Sequence, residues 1–350
     1  MAAPVQRDLQ TTREILTHWF AARLPEADSV EIEGINTPSG GASSDTLVVD
    51  ARVLRGKHRK PQRWIVRIQA NRIQIYQDPG VEKQFRILEV LGRYTDVPVP
   101  KTRWYEADAA VLGAPFFVMD AVEGQVPMNY NAPGWLADAS QAQRAQLWES
   151  AIQSLALVHR TDVSLLAFLN RSELGQTGLD QEIATWNRYL DWVRPAPHPA
   201  LDRACRWLPD HAPKQKTTGL AWGDAQLSNM IFKDYRCVAV IDWETVSLGG
   251  AEEDLAWWLT FDDFYADMSG LQRLPGLGDR AATIAAWEHY AGRKVQALEW
   301  HDVFAAFRLA VITEKAMSVY AAAGHALEGM SPGDGNPAMR RLARLLALGS

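Results

Sequence analysis

Cysteine is nearly absent: Cys205 and Cys237 are the only two in 350 residues. Two cysteines do not make a disulfide framework, and neither sits in a metal-ligand spacing, so a stapled scaffold and a cysteine-rich zinc site are both excluded. Long apolar runs are missing too; none reaches the length that spans a bilayer, and no membrane partner is expected. Residues 1–25 carry several charges and no apolar h-region, so no signal peptide is expected and the expected location is cytoplasmic. Positive charge is in deficit, with a formal net charge of −6 and a pI of about 5.8. The basic cluster RGKHRK at 55–60 is too short for the face that nucleic acid requires, and reads as a solvated loop between two strands. Tryptophan, by contrast, is abundant, with 14 residues, several of them late in the chain. That points to a bulky core or an aromatic-lined pocket.

Apolar residues at 47% and charged residues at 22% are ordinary for a globular chain. The first third reads as strand-rich. TLVVDARVL (46–54) and RWIVRIQ (63–69) flank the charged turn as a hairpin. PGVEKQFRILEVLGRY (79–94) shows helical spacing at Val81, Phe85, Leu88 and Leu91. An extended segment DVPVPKTRWYE follows, and then an apolar run, APFFVMDAV (114–122), that reads as a buried strand. The Gly-, Pro- and Asn-rich stretch 123–135 breaks the pattern. Beyond it the chain turns helical: Ser140 and Gln143 form a capping box before a long helix, and further helices are expected around 179–194, 251–261, 280–291 and 301–323. There is no internal repeat. The expected fold class is α+β in two unequal parts, residues 1–122 and residues 123–350.

The chemistry concentrates at WGDAQLSNM (222–230), followed by VAVIDWE. Two short apolar segments surround the polar turn KDYR, which predicts a β-hairpin. A hairpin returns the chain to the level where it began, so Asn229 and Asp242 should emerge side by side, with Asp224 in the loop feeding the first strand. Mg²⁺ prefers hard oxygen ligands and takes one or two carboxylates plus phosphates, a demand that Asp242 and the amide oxygen of Asn229 meet. Asp224 suits the carboxylate that orients an attacking hydroxyl and accepts its proton. Each residue alone is more often a cap or a turn; the spacing and the hairpin together favour the site.

WGDAQLSNMIF followed by VAVIDWE resembles the catalytic and metal motifs of the aminoglycoside phosphotransferase family, a branch of the protein-kinase-like fold, with Trp222 standing where the family pattern has histidine. The resemblance spans most of 30–310. It implies a bilobal fold, with residues 1–122 as a small nucleotide-binding lobe and 123–350 as a helical lobe holding the catalytic loop, metal site and acceptor pocket. It also implies Asp224 as catalytic base, Asn229 and Asp242 as Mg²⁺ ligands, and ATP or GTP as phosphoryl donor to a hydroxyl of a small molecule. Asp254 resembles the aspartate that supports the catalytic loop, and sits equally well as a carboxylate at a helix start.

The resemblance further assigns NTPSGGASSDT (36–46) to the loop that covers the phosphates, with Gly40 and Gly41 allowing close backbone approach and Ser43 and Ser44 offering hydroxyls and amides. Arg67 occupies the position of the phosphate-pairing lysine and keeps its charge. Gln84 falls within the stripe of Val81, Phe85 and Leu88, whereas Glu82 projects away towards Arg86; an arginine–glutamine pair thus replaces the family's lysine–glutamate pair. Met119 and Ala121 resemble the hinge whose backbone groups bond a purine. His159, alone on its helix, reads as a packed core residue.

For the acceptor, the resemblance points to the helices after the catalytic loop, near Arg308. Trp257 and Trp258 cannot both face one side of a helix, so at least one belongs to the core; Trp258 is taken as the acceptor-side residue. Asp262, Asp263 and Asp267 form an acidic patch able to attract a polycationic aminoglycoside. The aromatic richness fits a hydrophobic hydroxylated acceptor equally well, and a hydroxyacyl thioester is an alternative. The stretch between Asp242 and Asp254 is too short for an activation segment of protein-kinase type, which argues against a protein substrate. A nucleotide-binding pseudoenzyme is the rival from another class. A monomer or weak homodimer is expected.

Overall fold

The computed structural model describes residues 7–37, 44–69, 75–77, 80–127, 134–322, 324 and 329–348. Its contacts divide into two compact units: Met1–Gly92 with Pro100–Val122, and Arg93–Val99 with Glu123–Ser350. The fold is α+β. No helix among the described residues is long and apolar enough to cross a membrane.

The first unit opens with helix α1 (Leu9–Arg23), capped by Asp8, which accepts from the Gln10 amide. Strands β1 (Ser29–Asn36), β2 (Ser44–Arg55) and β3 (His58–Gln69) follow, then α2 (Val81–Tyr94), β4 (Thr102–Glu106), the single-turn α3 (Ala109–Leu112) and β5 (Phe116–Asp120). The sheet order is β1-β2-β3-β5-β4, antiparallel throughout. Alternation along β2 and β3 sends Val49, Val66 and Ile68 into a core with Leu16, Trp19 and Phe20 of α1. The basic cluster is the exposed end of the β2–β3 hairpin, with Gly56 in left-handed conformation at the turn.

The second unit is mainly helical. It comprises the short α4 (Trp135–Asp138), α5 (Gln141–His159), α6 (Gly178–Val193), α7 (Pro199–Asp210), the hairpin strands β6 (Met230–Lys233) and β7 (Arg236–Val240), and α8 (Ala251–Ser269), α9 (Arg280–Ala291), α10 (Leu298–Ala322) and α11 (Pro337–Leu348). The capping box at the start of α5 is formed in both directions: the Ser140 hydroxyl accepts from the Gln143 amide, and the Gln143 side chain accepts from the Ser140 amide. Helix α10 is buried on nearly every side over its first half, the signature of a helix at the centre of a domain. It packs against α8, α11 and α7, and α8 runs eight residues beyond its expected end, to Ser269.

Candidate active site

The loop before β6 is shaped by its neighbours. Ala221 and Ser247 exchange both backbone hydrogen bonds at 3.0 Å. Gly223 takes φ +94, and a Cβ there would meet the Thr245 carbonyl oxygen at 2.2 Å, so only glycine fits this turn. Beyond the loop, β6 and β7 pair as a hairpin whose turn residues, Asp234 and Tyr235, both have positive φ, the mirror-image turn that matches strand twist. Met230 pairs with Val240, and Ile241 donates its amide to the Asn229 carbonyl at 3.0 Å. Asn229 and Asp242 therefore flank the open end of the hairpin, as the spacing requires. Asp242 itself sits at φ +62, a left-handed position that costs a non-glycine residue backbone energy and is held by the surrounding bonds.

Three donors converge on the Asp224 carboxylate. Trp257 Nε1 donates to Oδ1 at 2.8 Å, Asn229 Nδ2 to Oδ2 at 2.6 Å, and Gln226 Nε2 to both oxygens at 2.8 and 2.9 Å. Because a carboxylate only accepts, the amide nitrogen of Asn229 must face it, which turns the amide oxygen to the other side. Burial raises the Asp224 carboxyl above its ordinary range; the charge of Asp242 adds to that rise, while the three donors oppose it. The Gln226 carbonyl accepts from the Ser228 hydroxyl at 2.8 Å, which fixes the fork.

Behind the loop lies Asp254, fully buried in the first turn of α8. Its carboxylate accepts from the Trp222 amide at 2.6 Å, the Gly223 amide at 2.7 Å and His159 Nε2 at 3.0 Å. Trp287 donates its indole N–H to His159 Nδ1 at 2.8 Å, so the histidine proton lies on Nε2, facing Asp254. His159 is in the core, as its spacing predicts, but as a link between α9, α5 and α8 rather than as filler. The helix N-terminus favours the Asp254 charge as well. Trp222, in place of the family's histidine, keeps an N–H donor: its indole reaches the carbonyls of Ile241 and Asp242 at 2.9 and 3.1 Å. Arg308 of α10 donates to the Gly223 carbonyl at 3.0 Å and to Glu253, with its guanidinium 4.6 Å from the Trp186 ring centre and 4.5 Å from that of Trp257.

In the first unit, Arg67 Nε donates to Gln84 Oε1 at 3.1 Å, the pairing that the helical stripe predicts, and Glu82 faces Arg86 at 4.0 Å. Gln84 orients the guanidinium and, unlike a glutamate, brings no charge of its own to the pair. Gly40, Gly41 and Ser43 lie outside the described residues; Ser44 opens β2, paired with Gln69. Met119 pairs in register with Ile65 and Thr102. Ala121 gives its amide to the Arg63 carbonyl at 3.0 Å.

The acceptor-side residues need larger corrections. Both Trp257 and Trp258 are buried, and it is Trp257 that reaches Asp224. Trp258, with no exposed surface, offers no face to an acceptor. The acidic patch is matched by arginines: Asp262 pairs with Arg273, Asp263 with Arg341 at 2.8 Å and Asp267 with Arg344 at 2.6 Å. Buried or paired acids hold little attraction for a polycation. Arg308, expected near the acceptor, is fully buried against the loop that carries Asp224. Sequence reasoning missed Trp257 and Gln226. The first lies three residues after Asp254, on the same helix face, and the second two residues after Asp224; both spacings were available as signals.

Among curated proteins, the chain is 30% identical over 179 residues to acyl-CoA dehydrogenase family member 11 of Rattus norvegicus, an alignment covering 50% of this chain and 22% of that protein. It is 25% identical over 226 residues to the probable acyl-CoA dehydrogenase IBR3 of Arabidopsis thaliana, covering 62% of this chain and 26% of that one. The chain thus spans a minor part of the length of these relatives. Among solved structures, a protein of Ralstonia eutropha described as an aminoglycoside phosphotransferase superposes with a TM-score of 0.67 at 23% identity, covering 96% of each chain. The GDP complex of aminoglycoside 2'-phosphotransferase-IIIa gives 0.59 at 12% identity, over 97% of this chain and 99% of that one. These likenesses establish the protein-kinase-like fold. The model of the phosphotransferase enzyme family matches residues 34–294, and the chain belongs to that family.

Proposed function

We propose that the chain is a Mg²⁺-dependent phosphotransferase that moves the γ-phosphoryl group of ATP or GTP to a hydroxyl of a small molecule in the cytoplasm. The observation that carries this reading is the hydrogen bond from Asn229 to Asp224 beside the hairpin end where Asp242 emerges. Asn229 and Asp242 would hold the metal: one carboxylate and one outward amide oxygen fit the sparse oxygen set that Mg²⁺ takes from protein. When bound, the ion supplies charge neutralisation at the nucleotide phosphates.

Asp224 is positioned to take the proton of the acceptor hydroxyl as its oxygen bonds to the γ-phosphorus. The bond from that phosphorus to the bridging oxygen breaks, and its electron pair leaves with the nucleoside diphosphate. A carboxyl raised above its ordinary range is the stronger proton acceptor. Arg67, steadied by Gln84, is suited to the donor phosphates. Solved structures of the same fold were obtained with GDP, and with ADP and hygromycin B, which supports a nucleotide donor and a small-molecule acceptor here.

A hydroxyacyl thioester is favoured over a polycationic aminoglycoside as acceptor. Two observations support it: the curated relatives carry acyl-CoA dehydrogenase names, and Asp262, Asp263 and Asp267 are all matched by arginines. The test is Mg²⁺-dependent release of ADP or GDP across aminoglycosides, sterols and hydroxyacyl thioesters, with Asp224→Asn as the blank. Release stimulated by an acceptor and absent from the variant is expected. Nucleotide binding with no turnover in either protein would identify a pseudoenzyme instead.

A further inference from the structure

Helix α8 changes character along its length. Residues 251–260 are buried on every side, whereas Phe261 and Tyr265 are only half-buried. Trp257, Phe261 and Tyr265 follow one another at intervals of four, which puts them on one face. Their rings touch in sequence, with centroids 4.9 Å apart for Trp257 and Phe261 and 5.5 Å for Phe261 and Tyr265. The strip starts at the catalytic loop, because Trp257 Nε1 is hydrogen-bonded to Asp224 Oδ1. At 1.5 Å of rise per residue it extends about 12 Å along the helix. The Asp224 charge is felt at the far end: burial, followed by that charge, pushes the Tyr265 phenol up to about 12.

Asp262, Asp263 and Asp267 interleave with the strip's aromatic residues, and each is ion-paired to an arginine. The exposed part of the strip, Phe261 and Tyr265, therefore offers apolar rings and one phenolic tip.

We propose that Phe261 and Tyr265, backed by the buried Trp257 that links them to Asp224, form an acceptor subsite that takes the uncharged, apolar body of an alcohol while its hydroxyl is presented to Asp224. This rests on the phosphotransferase reading above and adds the chemical class of the acceptor. A body matching the strip gains contact with each added methylene until it passes Tyr265. One methylene on a fully buried wall contributes about 0.8 kcal/mol, or no more than about fourfold in kcat/KM, and less on a half-open one.

The experiment uses short, medium and long straight-chain β-hydroxyacyl thioesters of N-acetylcysteamine, with kanamycin as the polycationic control and nucleotide consumption as the readout. In the wild type, kcat/KM is expected to rise with chain length and then level off, with kanamycin inert. Phe261→Ala is expected to raise KM for the long members by about tenfold and for the short member much less, flattening the series. Phe261→Leu, which keeps apolar bulk, should restore most of the slope and guards against a folding defect in the alanine variant. An unchanged slope in Phe261→Ala, or turnover of kanamycin in preference to the thioesters, overturns the subsite. So does the absence of stimulation by any member, even where a background hydrolysis that disappears in Asp224→Asn leaves the phosphotransferase reading standing. Hydrolysis as fast in Asp224→Asn as in the wild type overturns that reading as well.

Discussion

The indole of Trp222 donates to the carbonyls of Ile241 and Asp242, at 2.9 and 3.1 Å, and so ties the loop bearing Asp224 to the residue that follows the hairpin. The ring is fully buried, 5.9 Å from Trp243. Losing the donor leaves two carbonyls short of a partner, at a cost of about 1–3 kcal/mol. Trp222→Phe is therefore expected to raise the Mg²⁺ concentration for half-maximal rate by about tenfold. Trp222→His, which keeps an N–H, should raise it less despite the cavity left by the smaller ring. A metal titration of both variants decides this; equal curves would mean that the donor does not position Asp242.

Asp254 accepts three N–H groups with two oxygens. An asparagine there supplies one oxygen and turns an amide nitrogen against a donor. Asp254→Asn should lower kcat by about a hundredfold and lower the melting temperature, by about 2–4 °C for each kcal/mol lost. His159→Gln can still donate to Asp254 and accept from Trp287, so it is expected to retain more activity than His159→Leu. Melting curves and kcat for the three variants test this, and a Leu variant as active as the Gln variant would show that the hydrogen-bonded link through His159 does not support the loop.

How much of this was legible in the sequence depends on chain distance. The hairpin and the adjacency of Asn229 and Asp242 follow from local pairing, and the Arg67–Gln84 contact follows from the period of α2. Helix α1 was not anticipated, although Leu16, Trp19 and Phe20 form a stripe at helical spacing; the flanking polar residues dilute that signal. Trp257 and Trp258 are neighbours, and composition cannot say which one faces Asp224. That choice is set by the rotation of α8, which the Asp254 bonds to the loop 31 and 32 residues earlier help to fix. Arg308 acts on Gly223 across 85 residues of chain, through a contact that no periodicity encodes.

The raised Asp224 carboxyl has a kinetic consequence. Burial and the Asp242 charge disfavour its ionised form, while Trp257, Gln226 and Asn229 favour it. As the proposed base, Asp224 works only when deprotonated, so the acid limb of kcat/KM should lie above the ordinary carboxylate range. Trp257→Phe removes one donor to the ionised form, and the limb should move to still higher pH. The same shift makes folding stability fall as pH rises from the ordinary carboxylate value through the raised one. The pH–rate profiles of wild type and variant provide the check: a limb that stays put or moves down removes Trp257 from any part in tuning the base.

Arg308 and Glu253 form an ion pair in which both side chains are almost wholly buried. Burial pushes the Glu253 carboxyl up, Arg308 holds it back, and the neighbouring carboxylates of Glu182 and Asp254 add to the rise. Arg308→Met leaves a buried carboxylate without its cation and should destabilise by about 3–5 kcal/mol. It also raises the Glu253 carboxyl further, so the deficit should be smallest below a pH of about 8, where Glu253 is still protonated in the folded form of both proteins, and grow as pH rises from there to the new value. Adding Glu253→Gln removes the charge that needed a partner, and the double variant is expected to be more stable than Arg308→Met alone. Turnover should nevertheless stay low in both, because the Gly223 carbonyl beside Asp224 has lost its donor. Denaturant melts across pH measure the first effect and kcat the second. A double variant no more stable than the single one would show that the buried charge is not what Arg308 offsets, whereas recovered turnover would show that its bond to Gly223 does not position the loop.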